Sequence, residues 1–157
     1  MQTIQEKNTL LDEWNTKKKL EAKKALCDSS VQSIHLRPGT IVWTDFGENV
    51  GYEINKLRPA LVLSAERFNN GTCTIAPLTT HGHSQNITLR TSTEFIIYKK
   101  DIAFSENYRA DTFSDKSLVK IEQIRTISSA RTKNKIGILP DSVFKKIKLR
   151  IKTLFDI

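Results

Sequence analysis

The spacing of hydrophobic positions changes once along the chain, near residue 37. Before it, residues 2–27 hold neither proline nor glycine and are rich in Lys, Glu, Leu and Ala, all good helix formers. Leu10, Leu11, Trp14 and Lys18 fall at i, i+1, i+4 and i+8, a narrow stripe too short for a coiled coil. Asp12 and Glu13 precede the Lys17–Lys19 run, so several i,i+4 pairs are available. This predicts an amphipathic helix whose Trp14 docks on the body or on a second subunit. Cys27-Asp28-Ser29-Ser30 reads as its end and a linker.

After Arg37 the period shortens. Apolar, β-branched runs at Thr40–Phe46, Arg58–Ser64, Cys73–Leu78, Asn86–Arg90, Glu94–Lys99 and a long Ser117–Ile127 predict strands. Between the first two, Gly47–Lys56 contains two Gly and two Asn and reads as a long, mobile hairpin loop. Asn70-Gly71 is the strongest local hairpin signal. From Pro140 the period lengthens again: Phe144, Ile147, Ile151, Leu154 and Phe155 line one helical face. Lys145, Lys146, Lys148, Arg150 and Lys152 line the other. The expectation is an α+β fold: a helical arm and linker over 1–34, then over 35–157 a small curled sheet or barrel closed by a helix.

Charge sharpens this picture. The 157 residues carry 25 Lys and Arg against 17 Asp and Glu, a net charge of +8. The excess is +1 over residues 1–34, zero over 35–89, +4 over 90–140 and +3 over 141–157. The C-terminal half therefore projects a positive field suited to a polyanion or an acidic protein, or simply a soluble basic surface. Cys27 and Cys73 form no framework and no CxxC, which reads as reduced, inert thiols. The absence of a signal-like or membrane-length apolar run leads us to expect a soluble, cytoplasmic protein with no membrane partner. Metal-ligand spacing and a glycine-rich phosphate loop are both missing, so neither a metal nor another cofactor is expected.

The candidate chemistry centres on Arg58. It opens the strand Leu57-Arg58-Pro59-Ala60-Leu61-Val62-Leu63-Ser64, and Ala76-Pro77-Leu78-Thr79-Thr80 lies downstream. A permanently charged guanidinium next to a rigid proline, with a strand ending in paired hydroxyls, is equipment for holding a phosphate. The alternative for Arg58 is a strand-end salt bridge. The arm's Lys17–Lys19 and Lys23-Lys24 are either a solvated helix face or a nucleic-acid contact.

Five fragments in order carry a resemblance: Arg37-Pro38-Gly39-Thr40-Ile41-Val42-Trp43; Gly51-Tyr52-Glu53 with Arg58-Pro59-Ala60-Leu61-Val62-Leu63; Ala76-Pro77-Leu78-Thr79; Glu122-Gln123-Ile124-Arg125-Thr126-Ile127; and Lys135-Ile136-Gly137-Ile138-Leu139. From Arg37 to the C-terminus the chain resembles the MazF/PemK toxins of bacterial toxin–antitoxin systems. The resemblance implies an SH3-like barrel that pairs as a homodimer and cuts single-stranded RNA at short sequences without metal. In that chemistry the substrate's 2′-OH attacks the adjacent phosphate, leaving a 2′,3′-cyclic phosphate and a 5′-OH.

By the same resemblance, Arg58 stabilises charge on the phosphoryl oxygens and protonates the leaving 5′-oxygen. Thr79 bonds the scissile phosphate, and Glu53 accepts the 2′-OH proton or contacts a base. Tyr52 stands where part of the family has a histidine; it can stack or donate, but it is a poor neutral-pH base. Asn55-Lys56 replaces glycine-rich loop residues, which would stiffen the loop and change the RNA sequence read. Lys120 and Glu122 stand where some members have Arg and Asp. By strand alternation they share a face, either to touch RNA or to form a cross-strand ion pair. Thr80 and His81, with His83 beyond, follow Thr79 and can reach the site. Gln123, Arg125 and Thr126 look structural, with Arg125 also a candidate for RNA backbone contact.

An acidic cognate antitoxin would suit the +7 of residues 90–157. The alternative function is a non-enzymatic toxin or nucleic-acid-binding module on the same barrel, as in the related gyrase inhibitors. The RP strand and its following threonine favour the nuclease. The arm lies outside the resemblance, and three roles stay open for it: clamping a second subunit, binding the antitoxin, or shielding the groove.

Overall fold

Thr3 and Glu6 start the first helix by exchanging side-chain and backbone hydrogen bonds, a capping box that satisfies two otherwise orphaned N–H groups. That helix, α1, runs Ile4–Cys27, and a single turn, α2, follows at Ser29–Gln32. The computed structural model describes residues 2–81 and 93–157; the expected strand Asn86–Arg90, with His83, lies outside them. Among the described residues an eight-stranded antiparallel sheet follows: β1 Thr40–Asp45, β2 Leu57–Val62, β3 Thr72–Thr79, β4 Glu94–Tyr98, β5 Ala103–Phe104, β6 Lys116–Lys120, β7 Arg125–Ser128 and β8 Thr132–Ile138. The last helix, α3, spans Asp141–Phe155.

Strand β3 organises the sheet, because three strands divide its eight residues. Val62–Ala60 of β2 pair with Ile75–Pro77, β7 pairs with Thr72–Ile75, and β6 pairs with Leu78 and Thr79. Sharing one strand among three partners curls the sheet into the expected helix-capped half-barrel.

The expected long strand Ser117–Ile127 is corrected here. It is two strands, β6 and β7, separated by a 3-10 turn at Ile121–Gln123. The five residues Lys120 to Ile124 face only Ala76 and Pro77 of β3. Pro77 has no N–H to give a ladder, so the interruption falls where regular pairing is weakest.

Both faces of the sheet are buried, which is why β1, β2 and β3 read as continuous apolar runs with little alternation. On one face Ile41, Leu61, Leu78, Val119 and Ile136 pack under Phe144 and Ile147 of α3. On the other, Val42, Phe46, Ala60, Val62, Cys73, Ile75 and Ile127 form a second cluster.

Helix α1 attaches differently, because it buries no residue. Lys7 Nζ bonds the Glu48 carboxylate and the Asn49 carbonyl. Lys17 pairs with Asp45 at 3.6 Å and Glu21 with Lys133 at 2.5 Å. Of the two placements expected for Trp14, the structure shows docking on the body. The Arg131 guanidinium lies 5.2 Å from the Trp14 ring. A Cβ built on Gly47, whose φ is +75°, would lie 2.1 Å from Trp14 Cε2, so the indole fills the space that a side chain there would need. The docked face differs from the expected stripe at one point: Lys18 is exposed and Glu21 is half-buried in its place.

Candidate functional site

Arg58 is the second residue of β2, and Thr79 the last of β3. Antiparallel pairing brings these positions together although they are 21 residues apart. Arg58 Nε donates to the Asn55 carbonyl at 2.7 Å, and Nη1 donates to Thr79 Oγ1 at 3.5 Å. The first bond fixes the plane of the guanidinium against its own hairpin loop. Nη2 has no partner among the described residues, so it remains available to a ligand. Thr79 is 8 % exposed and also accepts from the His81 backbone N–H at 3.2 Å. Two N–H groups thus occupy its oxygen, which leaves its own proton to donate.

Arg58 and Thr79 border a cavity of about 220 Å³ between the sheet and the segment before β6. Trp43, Leu57 and Pro59 line one side; Tyr108, Thr112 and Ser114 line the other, and Thr80 and Ser117 complete the wall. The Thr80 hydroxyl is 3.0 Å from His81 Nδ1 at the exposed rim.

The Gly47–Lys56 loop, expected to be mobile, is held by a set of hydrogen bonds. Asn49 Nδ2 donates to the carbonyls of Phe46 and Ile54, and Asn55 Oδ1 accepts from the Asn49 N–H at 2.9 Å. Gln123 grips it from the body: its Oε1 accepts from the Ile54 N–H at 3.2 Å, and its Nε2 donates to the Tyr52 carbonyl at 3.1 Å. Helix α1 holds it from the opposite flank through Lys7 and Trp14. Lys56, exposed beside Leu57, has φ 69°. This is left-handed backbone that favours glycine and costs a lysine about 1–2 kcal/mol. The glycine expected there by resemblance would fit this conformation without strain.

Other candidates scatter. Glu53 is exposed at the loop tip, where its Oε2 accepts from the Val50 N–H at 3.2 Å, and it does not line the cavity. Tyr52 is 93 % exposed. Lys120 is 3 % exposed, and its ammonium is committed to Glu94, its cross-strand partner, and to Glu122 at 2.5 Å. The strand alternation expected to place Lys120 and Glu122 on one face does not apply, because Glu122 lies in the 3-10 turn; they meet across that turn. Arg125 pairs with Ile75, far down β3 from Thr79, and its guanidinium lies 5.5 Å from the Phe46 ring. Among the described residues, no His, Cys, Asp and Glu cluster is arranged to hold a metal ion, and no helix is long and apolar enough to cross a membrane.

Sequence reasoning read Asn55 only as a loop residue, missing that its carbonyl orients Arg58, and passed over the Tyr108–Ser114 wall. The one available signal was aromatic residues interleaved with hydroxyls between Phe104 and Ser117.

Residues 37–155 match the sequence model of a family described as PemK-like, MazF-like toxins of type II toxin–antitoxin systems. No curated protein sequence matches the chain. Among solved structures, MazF from Deinococcus radiodurans superposes with a TM-score of 0.56 at 20% identity, covering 80% of this chain and 100% of its own. The Mycobacterium tuberculosis toxin MazF-mt6 gives 0.53 at 22%, covering 75% and 97%. An endoribonuclease in complex with its cognate antitoxin, from a mycobacterial species, gives 0.51 at 15%, covering 78% and 96%. At these identities the likeness is one of fold.

Proposed function

Because the chain belongs to the PemK-like, MazF-like toxin family of type II toxin–antitoxin systems, we propose that it is the toxin of such a pair, acting as a metal-independent endoribonuclease on single-stranded RNA. It works as a homodimer, and an acidic cognate antitoxin restrains it. The observation that carries this reading is the meeting of Arg58 Nη1 with Thr79 Oγ1 at the mouth of a cavity. Such a meeting leaves a guanidinium face and a hydroxyl proton to converge on one phosphate.

The ribose 2′-oxygen attacks the adjacent phosphorus. The O2′–P bond forms, the P–O5′ bond breaks, and the products are a 2′,3′-cyclic phosphate and a 5′-OH. Negative charge builds on the phosphoryl oxygens in the transition state, where a fixed guanidinium and hydroxyl bind more strongly than in the ground state. Arg58 supplies that charge and a hydrogen bond to the departing 5′-oxygen; because a guanidinium does not give up its proton, the protonation expected of it falls to solvent. Glu53 lies at the loop tip outside the cavity, so it takes the 2′-OH proton only where RNA spans loop and site, and otherwise contacts a base.

The test is cleavage of RNA in EDTA, beside an oligonucleotide with one 2′-deoxy substitution at the cut site. Cleavage is expected to proceed in EDTA and to stop at the deoxy position; a requirement for metal, or cleavage that survives the substitution, excludes the mechanism. Arg58→Ala is expected to lower cleavage by roughly 10²–10³-fold with an unchanged melting temperature, and to abolish growth arrest on expression without antitoxin. A variant as toxic as the parent overturns the assignment.

A further inference from the structure

A phosphate held by Arg58 and Thr79 carries a sugar and a base with it, and the base must lie within a few ångströms of both side chains. The half-open cavity they border is the space beside them. At about 220 Å³ it is several times the ~30 Å³ share of one water molecule. Its chemistry is distinctive. Among the described residues Arg58 is its lone charged lining residue, so they give a second phosphate no counter-charge there. Trp43, Tyr108 and Pro59 offer flat apolar surface. Thr112, Ser114 and Ser117 offer hydroxyls; those of Ser114 and Ser117 can donate and accept, and that of Thr112 can accept. An apolar slot edged with bifunctional hydrogen-bonding groups matches a nucleobase, which has two π faces and a rim of donors and acceptors.

The outer wall is prearranged for such a ligand. The Tyr108 ring stacks on Phe104 with centroids 5.7 Å apart and planes 8° apart, and Phe104 meets Phe113 edge-on at 5.7 Å. Phe113 is buried in the main core, so this aromatic run anchors the segment to the barrel. The Thr112 hydroxyl donates to the Arg109 carbonyl at 2.7 Å and sits 3.3 Å from the Tyr108 hydroxyl. An aromatic side chain immobilised in this way loses little entropy when a base stacks on it.

We propose that this cavity is the specificity pocket for one nucleobase of the RNA, flanking the phosphate at Arg58, with Tyr108 as its stacking surface and Ser114 as an edge-reading group. The proposal rests on the ribonuclease reading for its substrate, and two measurements separate them. In the first, a random-sequence RNA pool is digested with the parent protein and with Tyr108→Ala and Ser114→Ala. The expected result is cleavage at the same bond type, with the base preference at one position beside the cut relaxed roughly ten- to hundredfold, and KM raised more than kcat is lowered. Ser114 is exposed, so Ser114→Ala carries the test should Tyr108→Ala fail to fold.

In the second, the four ribonucleoside 3′-monophosphates are titrated into Trp14→Phe protein, in which Trp43 is the remaining indole fluorophore. One nucleotide is expected to bind preferentially and change its emission, and to lose that effect in Ser114→Ala. RNA cleavage with unchanged base preference in both variants overturns the pocket and leaves the nuclease standing. Selective nucleotide binding without cleavage overturns the nuclease and leaves the pocket standing. Failure of both measurements overturns both.

Discussion

Helices α1 and α3 both lie against the barrel, yet they are attached by different physics. α3 presses Phe144 and Ile147 into the core, under strands from both halves of the sheet. α1 is longer, 24 residues against 15, and buries none of them. Its attachments are three ion pairs and one indole seated over a glycine. Each pair sets a partly solvated lysine on a largely buried carboxylate, so desolvation offsets much of the attraction, whereas a buried isoleucine contributes several kcal/mol. The lesson is one of separability. α3 is expected to fold with the barrel as one cooperative unit, and α1 to be able to detach while leaving the barrel intact. α1 nonetheless rests on the loop that carries Glu53 and Lys56.

The contrast can be broken or sharpened by experiment. Ile147→Ala is expected to have the largest effect, a loss of about 2–5 kcal/mol in denaturant unfolding, with all spectroscopic probes moving together. A loss below 1 kcal/mol would mean that α3 is not part of the cooperative unit. Trp14→Ala should leave the barrel's midpoint within about 1 kcal/mol of the parent while greatly accelerating amide exchange through α1 and residues 47–56. A global shift as large as that of Ile147→Ala would erase the distinction drawn here.

One thiol stands in each region, which allows a finer test. Cys27, at the end of α1, is exposed; Cys73 is buried in β3, and burial pushes its thiol up to about 11. At pH 8 an alkylating reagent should modify Cys27 at once and Cys73 only as the barrel unfolds; simultaneous modification would contradict the assignment. The smallest expected effect is alkaline. The Cys73 pKa is raised in the folded state, so its contribution is complete below the unfolded value of about 9 and is lost as pH climbs toward 11. Cys73→Ala should remove that part of the alkaline slope in a denaturation series, and an unchanged slope would show that Cys73 is not its source.

Much of the barrel was legible because β1, β2 and β3 are buried on both faces, and such strands announce themselves as apolar runs. The break at Ile121–Gln123 was not, because it depends on Pro77 lying opposite, a matter of register and not of local propensity. Helix α1 was readable from composition, but whether Trp14 met the body or another subunit was a tertiary question.

At the site, periodicity alone left Arg58 as a plausible salt bridge; the resemblance joined it to Thr79, and the hairpin geometry places the two side chains in contact. The Tyr108–Ser114 wall escaped because its backbone is turns and short 3-10 segments, which have no hydrophobic period, and its order comes from Phe104 and Phe113 packing inward. Lys120 was half legible. An ion pair with Glu122 was one of its two readings, and the fold adds Glu94, the second carboxylate that holds it inside.

The clasp at Gln123 has a consequence in terms of acidity. A carboxamide carries donor and acceptor on one side chain and does not ionise, so its two bonds to the loop, at Ile54 and Tyr52, are indifferent to proton concentration. The opposite flank of the same loop is held by Lys7 on Glu48, an attachment made of formal charges. The loop is therefore clamped between a neutral jaw and a charged one, and only the second is open to screening by salt. Gln123→Glu would lose that indifference: an ionised carboxylate still accepts from the Ile54 N–H but has no proton to give the Tyr52 carbonyl, and only acid would restore it.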